Sequence, residues 1–345
     1  MALAELILLT NEQFEQDTAV QEVKITTLLG GYAIAVLPEE QVERFLNTPG
    51  ILYAELPTRV YTTVEYGRAS SCISNRPSAG SVPGNLNGTG VLVGIIDSGI
   101  DYRHPDFCKE GGTTRIAALW DQSTEGGTPP EGYGFGALFT REQINEALAQ
   151  GRQGGEPMLS PGVDLSGHGT HVAGIAAGNG RASDGKYRGI AYESELLIVK
   201  LAEVRSGRAA SSGTARLMEA VDFCVRYAIK NRQPLALNLS YGTREGAHNG
   251  RRLVETYLNT VSAMAKCVIC VGTGNDGIGR THAGGRLEER EPAELEISVE
   301  GREKSLELEL WSNYADNFAV ELSAPGGETA VFRFGEGEAD RKSVV

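Results

Sequence analysis

Three short segments of the sequence carry side chains that could cooperate in acid–base chemistry. Asp97 follows the apolar run at residues 91–96, where the carboxyl end of a buried parallel strand can place a reacting group. His168 precedes small residues that let a helix pack closely on a sheet, which would fix this side chain as a positioned base. Asn275 lies on a glycine-rich turn after another apolar run, where its amide could donate to a developing oxyanion.

Each segment taken alone also has a simpler interpretation. Asp97 stands before Ser-Gly, a combination that is common in turns, and Asn275 could be a turn residue that tolerates a positive φ. His168 and His171 could bind a metal together with Asp97, since histidines three residues apart share a helix face. The glycine and threonine between the histidines, and the small-residue helix after them, favour a single positioned base.

The composition is typical of a globular protein with an acidic surface. The chain has 345 residues, 41% of them hydrophobic, and a net charge of −13. This charge argues against a nucleic-acid partner and against docking on anionic lipid, and no apolar run is long enough to predict a membrane span. We predict no signal peptide, which favours cytoplasmic synthesis.

Cys267 and Cys270 lie in an apolar run typical of a buried strand, so we interpret them as core residues.

The pattern of apolar runs predicts three regions. Residues 1–66 combine short strand-like runs with a helix at 38–47, which predicts a small α+β domain. Residues 67–285 alternate continuous apolar runs with helical stripes, as right-handed βαβ units in a three-layer α/β domain do. Within them, the Gly- and Pro-rich residues 110–163 predict a surface insertion with one helix. Residues 286–345 alternate polar and apolar side chains, which predicts a β-rich unit.

In this order, the three chemical segments resemble the subtilase family of serine proteases. The runs Asp-Ser-Gly-Ile-Asp-Tyr from Asp97 and Ala-Leu-Trp-Asp-Gln from Ala118 are similar to those of its clostridial germination-type (Csp-like) members. The resemblance implies a subtilisin-like parallel sheet and endopeptidase activity on a polypeptide substrate. It also implies a propeptide-like domain at 1–66 docked on the core, an incomplete jelly-roll-like insertion at 286–345, and either association with spores or lysis-dependent release.

The resemblance assigns roles to individual residues. Asp97 would orient His168, His168 would be the general base, and Asn275 would be the oxyanion donor. Asp106 stands where many members place a calcium ligand, but the loop after Ala177 departs from their usual calcium-site loop. The resemblance therefore assigns no metal ligand and leaves calcium open. The edge that pairs with an extended substrate would consist of Ser240, Tyr241 and Gly242.

One part of the family pattern is missing from the 345 residues. The nucleophilic serine of subtilases lies in a Gly-Thr-Ser-x-Ala/Pro segment at a helix start, and no Gly-Thr pair here is followed by serine. We therefore predict that the chain as given hydrolyses nothing. It is either part of an active endopeptidase, interrupted within the β-rich region, or an inactive relative that binds peptides or regulates a partner protease. Retention of Asp97, His168 and Asn275 favours the first hypothesis.

Overall fold

The structure is a computed structural model. It describes residues 2–14, 20, 22–58, 60–62, 86–154, 161–202, 213–243, 245–246, 248–264, 266–274, 282–288, 291–299, 308–312 and 318–333. The chain divides into two compact units, Met1–Glu288 and Glu289–Val345. No helix in the described ranges is long and apolar enough to cross a membrane.

The regular elements follow in chain order. The strands are β1 (Leu3–Thr10), β2 (Lys24–Thr27), β3 (Tyr32–Pro38), β4 (Ile51–Glu55), β5 (Tyr61–Thr62), β6 (Leu92–Asp97), β7 (Ile116–Asp121), β8 (Ala137–Thr140), β9 (Glu195–Lys200), β10 (Leu235–Leu239), β11 (Tyr241–Gly242), β12 (Cys267–Val271), β13 (Ala319–Ser323) and β14 (Thr329–Arg333). The helices are α1 (Val42–Leu46), α2 (Arg141–Arg152), α3 (His168–Ala177), α4 (Thr214–Asn231) and α5 (Leu253–Met264).

The predicted three-layer α/β core is confirmed. Six strands form one sheet in the order β12-β10-β6-β9-β7-β8, parallel except for β8, which pairs antiparallel with β7. Helices α2 and α3 cover one face and α4 and α5 cover the other. The alternation along β6 shows why both faces are apolar, since Leu92 and Ile96 pack toward α4 while Val93 and Ile95 pack toward α3.

Two predictions about this core are wrong. Within residues 110–163, predicted to be a surface insertion, β7 and β8 join the main sheet, and every residue of β7 is buried. The glycines and prolines around these strands predicted a loop. Burial of the short apolar run stabilises a strand there in spite of them. The run Cys267–Val271 forms the strand β12, but Cys270, predicted to be a core residue, is exposed, and so are Val268 and Val271. Among the described strands it is the outermost of the sheet, and α5 covers only the face that carries Cys267 and Ile269.

The N-terminal residues form a separate antiparallel sheet in the order β2-β3-β1-β4. One face packs on α1 through residues such as Leu8 and Phe45. The other face joins the main core cluster through Ile7, Tyr32 and Ile34, and so rests on α4 and α5. The N-terminal sheet is thus part of the same packed unit as the α/β core.

Hydrogen bonds fix this docking at several points. The Tyr32 hydroxyl donates to Thr256 Oγ1 at 3.1 Å, and its ring meets Tyr257 edge-on at a centroid distance of 5.2 Å. The Glu55 carboxylate accepts from Arg252 Nε and from Leu253 N, both at 3.1 Å, and thereby caps the start of α5. Farther along, β5 pairs antiparallel with β11.

The second unit contains one antiparallel hairpin in its described part, β13 with β14. Its register runs from Ala319 opposite Arg333 to Ser323 opposite Thr329. Residues 294–299, whose alternation also predicted a strand, lie outside regular secondary structure.

Two buried carboxylates meet one partly buried guanidinium where β1 meets α4. Glu5 and Glu219 are 5% and 1% exposed, and Arg216 lies 2.9 Å from Glu219 and 3.9 Å from Glu5. Burial raises the pKa of Glu219 to about 7; Arg216 opposes this rise, and Glu5 adds to it.

This arrangement predicts a pH-dependent stability. The pKa of Glu219 rises from its ordinary 4.5 to about 7 on folding, so the folded state binds this proton more tightly than the unfolded state. Its favourable contribution is complete below the unfolded pKa and is lost as the pH rises through about 7. Urea midpoints measured at about pH 5 and about pH 8 should show a larger fall for the parent than for Glu219→Gln. Glu43→Gln, an exposed control, should fall as the parent does, and equal falls for the parent and Glu219→Gln would contradict the assignment.

Candidate active site

The carboxyl end of the main sheet gathers the chemically important residues. Strands β12, β10 and β6 are adjacent and parallel, so all three end at the same edge. Asp97 is the last residue of β6 and is fully buried. His168 is the first residue of α3, which packs against β6. The sheet therefore brings together two of the predicted site residues that are 71 positions apart.

Asp97 and His168 form a direct pair. His168 Nδ1 lies 2.6 Å from Asp97 Oδ1, and the same oxygen accepts from the Ser98 N–H at 2.7 Å. Burial raises the pKa of Asp97, and the bonds from His168 and Ser98 oppose that rise. Because an ionised carboxylate only accepts hydrogen bonds, Nδ1 carries the proton and Nε2 is the basic nitrogen of the neutral ring.

The other ring nitrogen has no protein partner among the described residues. His168 Nε2 is buried and makes no hydrogen bond there, and the same holds for Asp97 Oδ2. A buried nitrogen without a partner is costly, and such exceptions are concentrated at functional sites. The arrangement can accept a proton at Nε2 and stabilise the resulting imidazolium through Asp97.

Close approach of α3 to β6 depends on a glycine. A Cβ added to Gly169 would lie 2.2 Å from the Gly99 carbonyl oxygen and 3.0 Å from Asp97 Cβ. No real side chain fits at these distances. The small residue after His168 therefore sets how near the imidazole comes to its carboxylate.

Sequence reasoning missed Asp164, which lies four residues before His168. Its carboxylate accepts five hydrogen bonds. The donors are Ser98 at the end of β6 and, around the start of α3, Ser166, Gly167 and Thr170, the last through both its N–H and its hydroxyl. Burial alone would raise the pKa of Asp164, but these hydrogen bonds outweigh it and lower the pKa. Asp164 lies three residues before Gly167, the N-cap of α3, so the usual capping position does not identify it.

The remaining predicted site residues are placed differently. Asn275 lies outside the described residues; just before it, Gly272 N donates to the Leu239 carbonyl at 3.0 Å, which ties this turn to the end of β10. Ser240 is buried and its hydroxyl accepts from Asn238 Nδ2 at 2.7 Å, so the side chain faces the protein. The residues of β11, Tyr241 and Gly242, pair with the backbone of β5.

Comparisons with known proteins show which family the chain belongs to. A family model described as "Subtilase family" matches residues 88–344, which is most of the chain. The chain belongs to the subtilase family. A second model, described as "Csp protease B prodomain", matches residues 3–58 of this subtilase, the part that forms the N-terminal sheet.

Individual relatives support the same family assignment. This subtilase is 29% identical over 232 residues to serine protease AprX of Bacillus subtilis (strain 168), covering 66% of the chain and 40% of AprX. It is 28% identical over 186 residues to subtilisin-like protease SBT1.9 of Arabidopsis thaliana, covering 49% of the chain and 24% of that protein. The solved structure of the Clostridium perfringens CspB protease matches with a TM-score of 0.50 and 37% identity, over 59% of this chain and 39% of that one. The predicted likeness to Csp-type subtilases is confirmed, and the match spans less than half of each of these relatives.

The residues around Asp106 do not fit the calcium ion that the family resemblance left open. Asp106 Oδ1 accepts from Ala182 N at 2.7 Å, and the Asp106 carbonyl accepts from the Arg115 guanidinium at 3.0 Å. Arg115 is 5% exposed and also binds the carbonyls of Ala177 and Ser194. A guanidinium that already holds these oxygens places positive charge where calcium would need bare oxygen ligands. No cluster suited to a metal occurs among the residues that the structure describes.

Two glycines of α3 make a matched pair of substitutions. Gly169→Ala should destabilise the chain by about 1–3 kcal/mol, since its Cβ would force α3 away from β6. In Gly174→Ala the new Cβ meets nothing within 4 Å, so the gain in helix propensity should stabilise the chain by up to about 1 kcal/mol. Urea unfolding of both variants tests this, and equal stabilities would show that α3 does not need its close approach.

Proposed function

We propose that this protein is a serine endopeptidase of the subtilisin type, which hydrolyses peptide bonds with an Asp-His-Ser triad. Asp97 and His168 supply two members of the triad, and Asn275 supplies the oxyanion donor. The observation that carries the proposal is the pair itself: Nδ1 is held 2.6 Å from a buried carboxylate, while Nε2 is buried with no partner among the described residues. This geometry suits a general base that awaits a hydroxyl.

The chemistry follows from the two ring nitrogens. His168 Nε2 takes the proton of a serine hydroxyl as the oxygen attacks the peptide carbonyl, and then returns it to the leaving amine. Asp97 keeps Nδ1 protonated and stabilises the imidazolium that forms between these steps. Asn275 would donate to the oxyanion, a contribution of about 3 kcal/mol in such sites.

The paired strands β5 and β11 support a binding mode for polypeptide substrates. Residue 241 lies opposite 62 and residue 242 opposite 61 in an antiparallel ladder. Just before β5, Thr58 and Thr214 exchange two hydrogen bonds, Thr58 N to Thr214 Oγ1 at 2.9 Å and Thr214 N to the Thr58 carbonyl at 2.8 Å. An extended substrate would add to β11 in the same way, through its backbone.

We infer a domain arrangement from this pairing. Residues 1–66 are a propeptide-like domain whose last strand covers the substrate edge, residues 67–285 are the catalytic core, and residues 286–345 belong to a β-rich insertion. As long as β5 pairs with β11, a substrate strand must displace it. The docked domain would therefore act as an inhibitor of the same chain.

The serine is the missing member of the triad. None of the 345 residues lies in a Gly-Thr-Ser-x-Ala/Pro segment, so we propose that the nucleophile is encoded beyond Val345. Sequencing the gene past that codon tests the proposal, and such a segment in the same reading frame is the expected result.

A second candidate function is peptide binding without catalysis. The observation that favours it is that β11 already pairs with a strand in a chain that carries no serine segment. A reading frame that closes without a Gly-Thr-Ser segment would replace the endopeptidase proposal with this one.

A further inference from the structure

The first turn of α3 and the turn after β6 are joined by an exchange of hydrogen bonds. Ser98, on the β6 side, accepts at Oγ from Gly169 N of α3 at 3.0 Å. Thr170, on α3, accepts at Oγ1 from Asp101 N of the β6 side at 2.9 Å. Each hydroxyl therefore receives a backbone N–H from the opposite element.

Both hydroxyls donate to one carboxylate. Ser98 Oγ donates to Asp164 Oδ1 at 2.8 Å, and Thr170 Oγ1 donates to Asp164 Oδ2 at 2.7 Å. The N–H groups of Gly167 and Thr170 reach the same two oxygens at 2.9 and 2.8 Å. Ser166 Oγ lies 3.1 Å from Oδ1 and accepts from His168 N at 3.1 Å. The acceptor sites of Asp164 are thus occupied from both elements.

The direction of these bonds matters because a carboxylate can only accept. With an acceptor at Asp164, the Ser98 proton is drawn to it, and the Ser98 oxygen is free to receive the Gly169 N–H. Ser98 Oγ lies farther from Asp97 Oδ1, at 3.2 Å, which leaves that oxygen to the Ser98 N–H and to His168 Nδ1. An amide NH₂ in place of Oδ1 or Oδ2 would lose the bond from the Gly167 or Thr170 N–H and would compete with the N–H that the facing hydroxyl receives from the other element.

We propose that Asp164 is the positioning residue of this site, which ties α3 to the end of β6 and so sets the contact between His168 Nδ1 and Asp97 Oδ1. The proposal rests on the proposed function, in which that contact orients the general base. Asp164 touches neither reacting atom. It acts through Ser98 and Thr170.

The test is the proton NMR resonance of His168 Nδ1–H in the full 345-residue chain, assigned by its absence in His168→Ala. A proton held in a short bond to a buried carboxylate is protected from exchange and lies far downfield. Asp164→Asn should shift this resonance upfield or abolish it. Thr170→Val, which removes one of the two ties and keeps the side-chain shape, should produce a smaller upfield shift.

Two controls separate positioning from general loss of stability. Asp184→Asn makes the same charge change at an exposed site, and Ile144→Val trims a buried side chain of α2 on the same face of the sheet. Both should keep the parental resonance. An unchanged resonance in Asp164→Asn and Thr170→Val, its loss in either control, or its absence from the parent would overturn the proposal. If Asp164→Asn does not fold, Thr170→Val decides alone.

The proposed function can fail independently. In a polypeptide that also contains the serine segment, Asp164→Asn should lower kcat and leave KM unchanged. If that polypeptide is inactive with Asp164 intact, the endopeptidase proposal fails, while the NMR result still decides the role of Asp164.

Discussion

Replacement of His168 by alanine is expected to lower kcat for peptide hydrolysis by about 10⁴–10⁶-fold in a polypeptide that combines these residues with a serine segment. Without the imidazole, no described group can take the serine proton at the position of Nε2. The buried Asp97 carboxylate also loses the ring to which its Oδ1 is bonded. Hydrolysis of an unfolded protein substrate, followed under saturating conditions, measures the effect.

The control lies on the same helix. His171 is exposed on α3, and its backbone N–H bonds the Gly167 carbonyl at 3.0 Å, a bond that alanine retains. His171→Ala should therefore keep kcat within about threefold of the parent. A comparable loss in both variants, or activity in His168→Ala close to that of the parent, would remove His168 from the general-base role.

Replacement of Asp222 by alanine is expected to lower the free energy of unfolding by about 3–5 kcal/mol. The Asp222 carboxylate is fully buried and accepts from Leu29 N, Tyr257 OH, Tyr133 OH and Arg226 Nε at 2.6–2.9 Å. Alanine would leave these donors without their acceptor. Because Leu29 belongs to the N-terminal region, the same change should weaken its docking on α4.

A conservative substitution calibrates the result. Asp222→Asn keeps one acceptor oxygen, and its NH₂ can donate to the Tyr133 hydroxyl but faces Arg226 unfavourably. Its cost should be smaller, about 1–3 kcal/mol. Urea unfolding of both variants gives the two losses of free energy. A larger loss in Asp222→Asn than in Asp222→Ala would mean that side-chain shape, rather than hydrogen bonding, determines stability at this position.

The apolar pattern predicted the elements that hold the site better than it predicted their surroundings. The stripe on Thr214–Asn231 forms α4, and the run at residues 91–96 is buried on both faces as β6. These segments have a strong period and a long apolar surface, so local sequence and tertiary packing agree. The burial of β7 was not predicted because the sequence on either side of it is rich in glycine and proline. Its burial is determined instead by the strands that lie beside it in the sheet.

The candidate site was predictable only where a side chain carries its own chemistry. Asp97 and His168 stand out by type and position, and the structure brings them into contact. The Asp164 network depends on hydrogen bonds between residues up to 71 positions apart, such as Gly169 to Ser98, which no local pattern reveals. For the same reason the inward-facing Ser240 hydroxyl could not be foreseen from its place in the predicted substrate edge.

Labelling with a serine-directed fluorophosphonate tests the central claim most directly. The 345-residue chain should take up no label, because it holds the base and its carboxylate but no serine segment. A longer polypeptide that includes a downstream Gly-Thr-Ser segment should be labelled at that serine, and His168→Ala should abolish the labelling. Stoichiometric labelling of the 345-residue chain, or labelling of the longer one that does not depend on His168, would contradict the account.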